Sequence, residues 1–498
     1  MRAAEVMTER SAASRRMRLG AGLALTGVLA LAGCNVAPPY VVPSATVPAA
    51  FKETPGWMQA APGDAAPRGD WWTAFNDPVL DGLEVQAPIA NPNLQAALAA
   101  YDQARALAAQ ASSNLVPTVG ISDSNTYNRQ SDNRPTRGGG QPNEYAANTF
   151  GGTINYEFDF WGRVRNLVAA GKAVAQASAA DLATAQLSLQ VQLADDYLAL
   201  RGLDAQLRLL QSTQAAYQRA LDLTQARHTG GVASGLDVDR AQAQLSAAKA
   251  QISDIQAQRA LYEHAIASLV GQPASTFALA PAATDSRIVP TVPAGLPSAL
   301  LQRRPDIAAA ERRAFAANRR IGVARAAYFP QVTLAAQGGW QNTGGQDLLI
   351  APNTFWTLGP QISLPLFDAG LRKAQVAAAR AAFAEASADY RTAVLAAFQQ
   401  VEDQLALANH LASEQGDEGD AVKATQATTR LSLTRYREGA TNYLDVVTAQ
   451  TAELQAEQTL LGLETRRQQV SVNLVRALGG GWTRADLPSF AAMGKVGK

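Results

Sequence analysis

An internal repeat limits what this chain can become. The segment NPNLQAALAAYDQARALAAQASSNLV reads as a helix that opens at Asn91-Pro92 and stops at Pro117. PDIAAAERRAFAANRRIGVARAAYF reads the same way from Pro305 and stops at Pro330. Pro92 and Pro305 are 213 residues apart, as are Pro117 and Pro330, while Gly162 and Gly370 are 208 apart. A near-constant offset across the whole segment is the mark of a duplicated unit. Each unit carries a β segment between helices.

The helices are long and thin. From Arg163 to about His228 only the isolated Gly171 and Gly202 interrupt the helical pattern. Leu200, Leu203, Leu207, Leu210, Gln214, Tyr217 and Leu221 recur at alternating spacings of three and four, a heptad seam. At 1.5 Å per residue this predicts a rod of roughly 100 Å. The turn TGGVASG (229–235) reverses it into a return helix from Leu236 to Val270. The second half repeats the plan with helix 370–436, the turn REGATN (437–442) and a return from Tyr443 to about Leu478. Each return helix spans only about 50 Å, and helices 93–114 and 306–328 add about 33 Å, which matches the long partner. The expected organisation is repeat 92–272, a Pro-rich linker 273–304, repeat 305–478 and a polar tail 479–498.

Four β segments are expected, at 116–127, 148–160, 331–341 and 355–367. In 148–160, Phe150, Ile154, Tyr156, Phe158 and Phe160 take one face, against Thr149, Thr153, Asn155, Glu157 and Asp159. Val332, Leu334, Ala336 and Trp340 likewise oppose Gln331, Thr333, Gln337 and Gln341. Trp356, Leu358, Ile362, Leu364 and Leu366 oppose Thr357, Gln361 and Ser363. Strands of this length, with an apolar face tipped by aromatics, suit a membrane β-barrel. Four strands cannot close one, and an open edge in lipid leaves backbone groups unsatisfied. Spanning strands therefore demand an oligomer. A dimer gives eight strands with a filled interior, whereas a trimer gives twelve and leaves a passage.

The N-terminus carries Arg15, Arg16 and Arg18 ahead of LGAGLALTGVLALAGC, the charged and apolar regions of a signal peptide (1–33) too short for a comfortable membrane span. It ends on Cys34, the lone cysteine, within an LAGC that resembles a bacterial lipobox, where cleavage precedes a lipidated (palmitate-bearing) Cys. Asn35 follows, so the acidic residue of inner-membrane retention is absent, and an outer-membrane anchor is expected. Met17 is an alternative start. Residues 34–91 read as a Pro- and Ala-rich tether followed by DWWTAFNDPVLDGL, whose Trp71, Trp72 and Phe75 dock it in a small buried cluster.

Composition removes other classes. The chain is 47% hydrophobic with Ala dominant, and aromatics are 6%, which favours bundles of thin helices over a thick core. A net charge of +1 without a basic block argues against nucleic acid. Three His residues (His228, His264, His410) and one Cys offer no metal cluster, and no cofactor is expected. There is no G-x-S-x-G, H-E-x-x-H or P-loop, so an enzyme is not expected. Asp195 and Asp196 point to different helix faces and read as solvated.

The stretch LPSALLQRRPDIAAAERRAFAANRRIGVARAAYFPQVTL (296–334), with WWTAFNDPVL (71–80), the lipobox and both turns, resembles the outer-membrane factors of tripartite efflux pumps, the TolC, OprM and NodT type. The resemblance covers residues 34–480. It implies an α+β membrane protein: a homotrimer with a 12-stranded outer-membrane β-barrel, four strands per protomer, continuous with a periplasmic α-barrel of helical hairpins. Cargo would arrive from an inner-membrane transporter of the RND type through a periplasmic adaptor. The barrel-to-helix junction then falls at Pro117, Gly162, Pro330 and Gly370.

The same resemblance makes the two turns the periplasmic tip, which docks the adaptor and closes the tube. Gly231, Ser234, Leu236, Gly439, Thr441 and Leu444 are the expected adaptor contacts, and Asp445, Thr448, Tyr436 and Asp237 the expected aperture. The TolC pattern has a second aspartate where Thr448 stands and an arginine where Thr441 stands, so any acidic ring here is thinner. Asn442 and Ser234 can cap the return helices, and that role alone can account for Asp237 in the first turn. Two alternatives use the same features: an exit duct for secreted polypeptides, and a structural coiled-coil envelope lipoprotein without a pore, which has no need of the strands.

Overall fold

The computed structural model describes residues 35–53, 69–133, 140, 142–282, 288–292, 297–344 and 347–494. The signal segment and Cys34 lie outside the described residues, as do parts of the tether, the first strand loop, the linker and the tail.

Three of the four helix pairs of the repeat match residue for residue in length. In the first half α1 (Pro78–Ala90) leads into α2 (Pro92–Ser113), β1 (Thr118–Arg129) and β2 (Glu144–Phe158), then α3 (Arg163–Thr229) and α4 (Gly235–Leu269). In the second half α5 (Pro297–Arg303) leads into α6 (Pro305–Ala326), β3 (Gln331–Asn342) and β4 (Thr354–Ser363), then α7 (Leu371–Arg437) and α8 (Tyr443–Ala477). The two long helices have 67 residues each, the returns 35 each, and α2 and α6 have 22 each. Pro at the first helical position, with its fixed φ, starts α1, α2 and α6.

The strands form a four-stranded antiparallel sheet in the order β1-β2-β3-β4. Register decides what it presents. Val119 faces Ile154, Ile154 faces Ala336, and Ala336 faces Leu358 across successive strands. Phe150, Trp340, Tyr156, Leu334, Trp356 and Ile362 share that side, because directly paired residues lie on one face. Thr153, Gln337 and Thr357 line the other. Val119, Ile121, Trp356, Leu358 and Ile362 are all exposed in the single chain. Among the described residues the apolar face stands uncovered in the single chain.

Several strand limits differ from expectation. β1 runs to Arg129 and β2 begins at Glu144, because the hairpin register pairs Arg129 with Glu144 and draws loop residues into the ladder. β2 stops at Phe158, opposite Val332 near the start of β3. β4 ends at Ser363 rather than 367, since its partner Gln331 is the first residue after Pro330 and Pro365 has no N–H to offer.

The tether is not free where it is described. Residues 35–53 run against the body. The Tyr40 hydroxyl donates to the Glu311 carboxylate at 2.7 Å, Phe51 is buried with Val394 and Phe398, and the Lys52 N–H donates to Glu402 at 2.7 Å. Trp72 and Phe75 are buried with Leu80, Leu83, Tyr197 and Ile266. α1, unforeseen from sequence, is capped by Asp77, which accepts from the Val79 N–H at 2.9 Å. The buried Glu84 of α1 has no hydrogen-bond partner for either carboxylate oxygen among the described residues, and burial pushes its carboxyl up to about 9. Asp195 is also less solvated than its sequence suggests. It packs against α8, accepts from the Asn473 amide at 3.0 Å, and is pushed up to about 6 by burial.

Candidate aperture at the hairpin tips

Both turns are built by one backbone recipe. The Gly231 N–H donates to the His228 carbonyl at 2.9 Å and the Val232 N–H to the Arg227 carbonyl at 2.8 Å. The Gly439 N–H donates to Tyr436 at 3.0 Å and the Ala440 N–H to Arg435 at 2.8 Å. Gly231 and Gly439 sit at φ 75° and 78°, a left-handed conformation open to glycine at no steric cost. Ser234 then caps α4 in a reciprocal box with Asp237, and the Asn442 side chain accepts from the Asp445 N–H at 3.1 Å to cap α8.

The expected aperture residues fall into two environments. Asp445 and Thr448 are exposed on α8, and the Thr441 hydroxyl donates to the Asp445 carboxylate. The Thr448 hydroxyl is turned back to the Leu444 carbonyl at 2.9 Å. Asp237 is half-buried, held by its capping box and by Arg240 at 3.7 Å. Tyr436 differs from expectation. It is 4% exposed, with its ring 5.2 Å from Tyr443, and it packs with Tyr217, Leu245 and Val446 between the two hairpins rather than at the lip. Leu236, Leu444, Gly231, Ser234 and Gly439 are exposed, and Thr441 is half-buried.

Arg227 is the tip residue that sequence reasoning missed. Its guanidinium donates to the carbonyls of Tyr436 and Arg437 at 3.0 and 3.1 Å and lies 4.8 Å from the Tyr436 ring centre. It adds a second donor to the Tyr436 carbonyl, which already accepts from the Gly439 N–H, bonds the Arg437 carbonyl and complements the dipole of α7. Its only sequence signal is a basic residue in the last turn of a long helix. His228 is exposed beside it, its Nδ1 2.9 Å from the Ala233 carbonyl.

At the opposite end, the junction residues bring strands and helices together. The Trp161 indole donates to the Pro330 carbonyl at 2.8 Å and stacks on Phe329 at 4.6 Å. Gly162 and Gly370, at φ 78° and 90°, are the N-cap positions of α3 and α7. Asp159 accepts from the Val164 and Arg165 N–H groups at 3.0 and 2.8 Å. Asn35 accepts from Asn166 there at 2.8 Å. Pro117 is exposed directly before β1.

The described residues place an uncovered apolar sheet at one end of long hairpins and a capped, charged tip at the other. The chain belongs to the outer membrane efflux protein family, whose model matches residues 84–272 and 296–480. The toluene efflux pump outer membrane protein TtgC of Pseudomonas putida is 33% identical over 462 residues, covering 92% of this chain and 95% of TtgC. The pyoverdine export outer membrane protein OpmQ of the same species is 33% identical over 446 residues, covering 87% and 93%. The solved outer-membrane channel OprN superposes with a TM-score of 0.82 at 30% identity, over 90% of this chain and 100% of that one. The chain is accordingly an outer-membrane component of an efflux system, in a family of ducts rather than of enzymes.

Proposed function

We propose that this chain is the passive exit duct of a tripartite pump, working as a homotrimer that carries small toxic molecules outward. The observation that carries the reading is the sheet: β1 and β4 each leave one backbone edge unpaired, on a surface whose apolar face is bare. In lipid both edges need partners. Three copies pair them into twelve strands around a passage.

The helices point the same way. On α3, Ala170, Ala173 and Ala180 are buried against α6 of the same chain. Their equivalents on α7 at the 208-residue offset are Ala378, Ala381 and Ala388, and all three are exposed. A second copy of α2, the equivalent of α6, fits that stripe and makes a closed ring of repeated contacts. Helices from three copies then form the periplasmic tube beneath the barrel.

In this reading Cys34 carries the lipid, next to Asn35, which is fastened at the strand–helix junction. The tips meet the periplasmic adaptor through Gly231, Ser234, Leu236, Gly439, Thr441 and Leu444. Asp445 and Thr448 line the aperture, with Asp237 as a cap behind them. The inner-membrane partner is a proton-driven transporter of the RND type. Relatives named for toluene and for pyoverdine favour small organic cargo over polypeptides. Deleting the gene and measuring susceptibility across a panel of solvents, antibiotics and metals tests the function; an unchanged profile, with the wild type expressed, defeats it.

A further inference from the structure

The duplication makes the tip self-predicting. Arg435 stands 208 residues after Arg227, at the same place in an identical turn. Arg227 has three partners: two carbonyls at the end of the next long helix and the ring of Tyr436. Arg435 is exposed, and its guanidinium makes no hydrogen bond or ion pair among the described residues. In a ring of hairpins, every hairpin has a neighbour on the same side, so the second hairpin of one copy meets the first hairpin of the next as Arg227's hairpin meets its own partner.

We propose that Arg435 is a clamp between copies, its guanidinium donating to the carbonyls of His228 and Thr229 of the partner subunit. These are the residues equivalent to Tyr436 and Arg437. The chemistry carries over, since the acceptors are backbone carbonyls at a helix C-terminus whatever the side chains; the His228 carbonyl, like that of Tyr436, takes one turn N–H and keeps a second lone pair for a further donor. The packing does not. Where Tyr436, Tyr443 and Tyr217 glue the two hairpins of one chain, the equivalent positions are His228, Gly235 and Thr425. Gln244, whose side-chain amide donates to the Val447 carbonyl inside the chain, is replaced by Ala452. The joint between copies thus keeps the arginine clamp and loses the aromatic core. It is the joint that parts first when the tip widens.

This inference rests on the trimeric reading, and the experiment separates the two. The full-length protein is made with Arg435→Cys plus Thr229→Cys and treated in membranes with a short bis-maleimide, with each single variant as a control for Cys34. Linked dimers and trimers on a denaturing gel are expected. The equivalent pair inside one chain, Arg227→Cys plus Arg437→Cys, is expected to run as monomer. A native trimer in which the first pair yields monomer alone overturns the clamp and leaves the trimer standing; no native trimer removes both. In planar bilayers, Arg435→Ala is expected to raise the open fraction about tenfold, the weight of one charge-assisted hydrogen-bonded contact. Arg435→Lys, which keeps the charge without the fork, falls between. Wild-type gating in Arg435→Ala also overturns the proposal.

Discussion

The two hairpin tips share a backbone and differ in what surrounds it. Both turn on a left-handed glycine, both are capped by a short polar side chain, and both place an aspartate at the third position of the return helix. Around the second turn lie Tyr436 and Tyr443, buried and ring to ring; around the first lie an exposed His228 and Gly235. The lesson is that duplication preserved what each turn needs to form, while the side chains diverged to make two unlike joints from one plan. Identical turns need not mean identical mechanics.

The comparison breaks first at the tyrosines. Tyr443→Ala is expected to cost about 3–5 kcal/mol locally, as for other large aromatic truncations in a core, with hydrogen exchange rising across 430–450. His228→Ala should stay within about 0.5 kcal/mol, as an exposed site. Equal losses would mean that the two joints are alike after all.

The halves differ next at Glu84, whose equivalent 213 residues on is Pro297. Burial holds the Glu84 proton up to about 9, against 4.5 for an unperturbed carboxyl. The folded chain therefore retains a proton that the unfolded chain releases, so stability falls as pH rises from 4.5 towards 9. Glu84→Gln is expected to gain about 3 kcal/mol at pH 7 and almost nothing at pH 4, read by denaturant melts at both. An effect that does not depend on pH would show that folding leaves the proton affinity of Glu84 unchanged, against the raised value.

Smaller effects sharpen the likeness. Asn442→Ala and Ser234→Ala should each cost about 1 kcal/mol, the usual worth of an N-cap, and by similar amounts if the turns are equivalent. Asp445→Ala is expected to lower the cation selectivity of the proposed trimer with little change in stability, whereas Asp237→Ala should act through its cap and leave selectivity alone. Unchanged selectivity in Asp445→Ala would take the gate away from Asp445.

Much of this was legible along the chain because it rests on local chemistry. Prolines without an N–H stop helices, glycines take left-handed turns, and seams recur at helical spacing. The repeat offset exposed the two halves, and the signature stretch the family. Strand ends were not legible: Glu144 joins β2 only because Arg129 lies opposite. Nor was Tyr436, whose aromatic ring suits a lip or a core equally well until Arg227 and Tyr443 are seen around it.

By itself the sequence determined the duplication, the helix lengths, the turns and the alternation within each strand, all set by neighbours a few residues away. Only the tertiary structure decided that the four apolar strand faces fall on one side, that residues 35–53 are fastened to the body, and that Arg227 ties the two hairpins of the chain together. Those depend on register and on contacts across some 200 residues of chain, where one shift of pairing would turn each side chain to the other face.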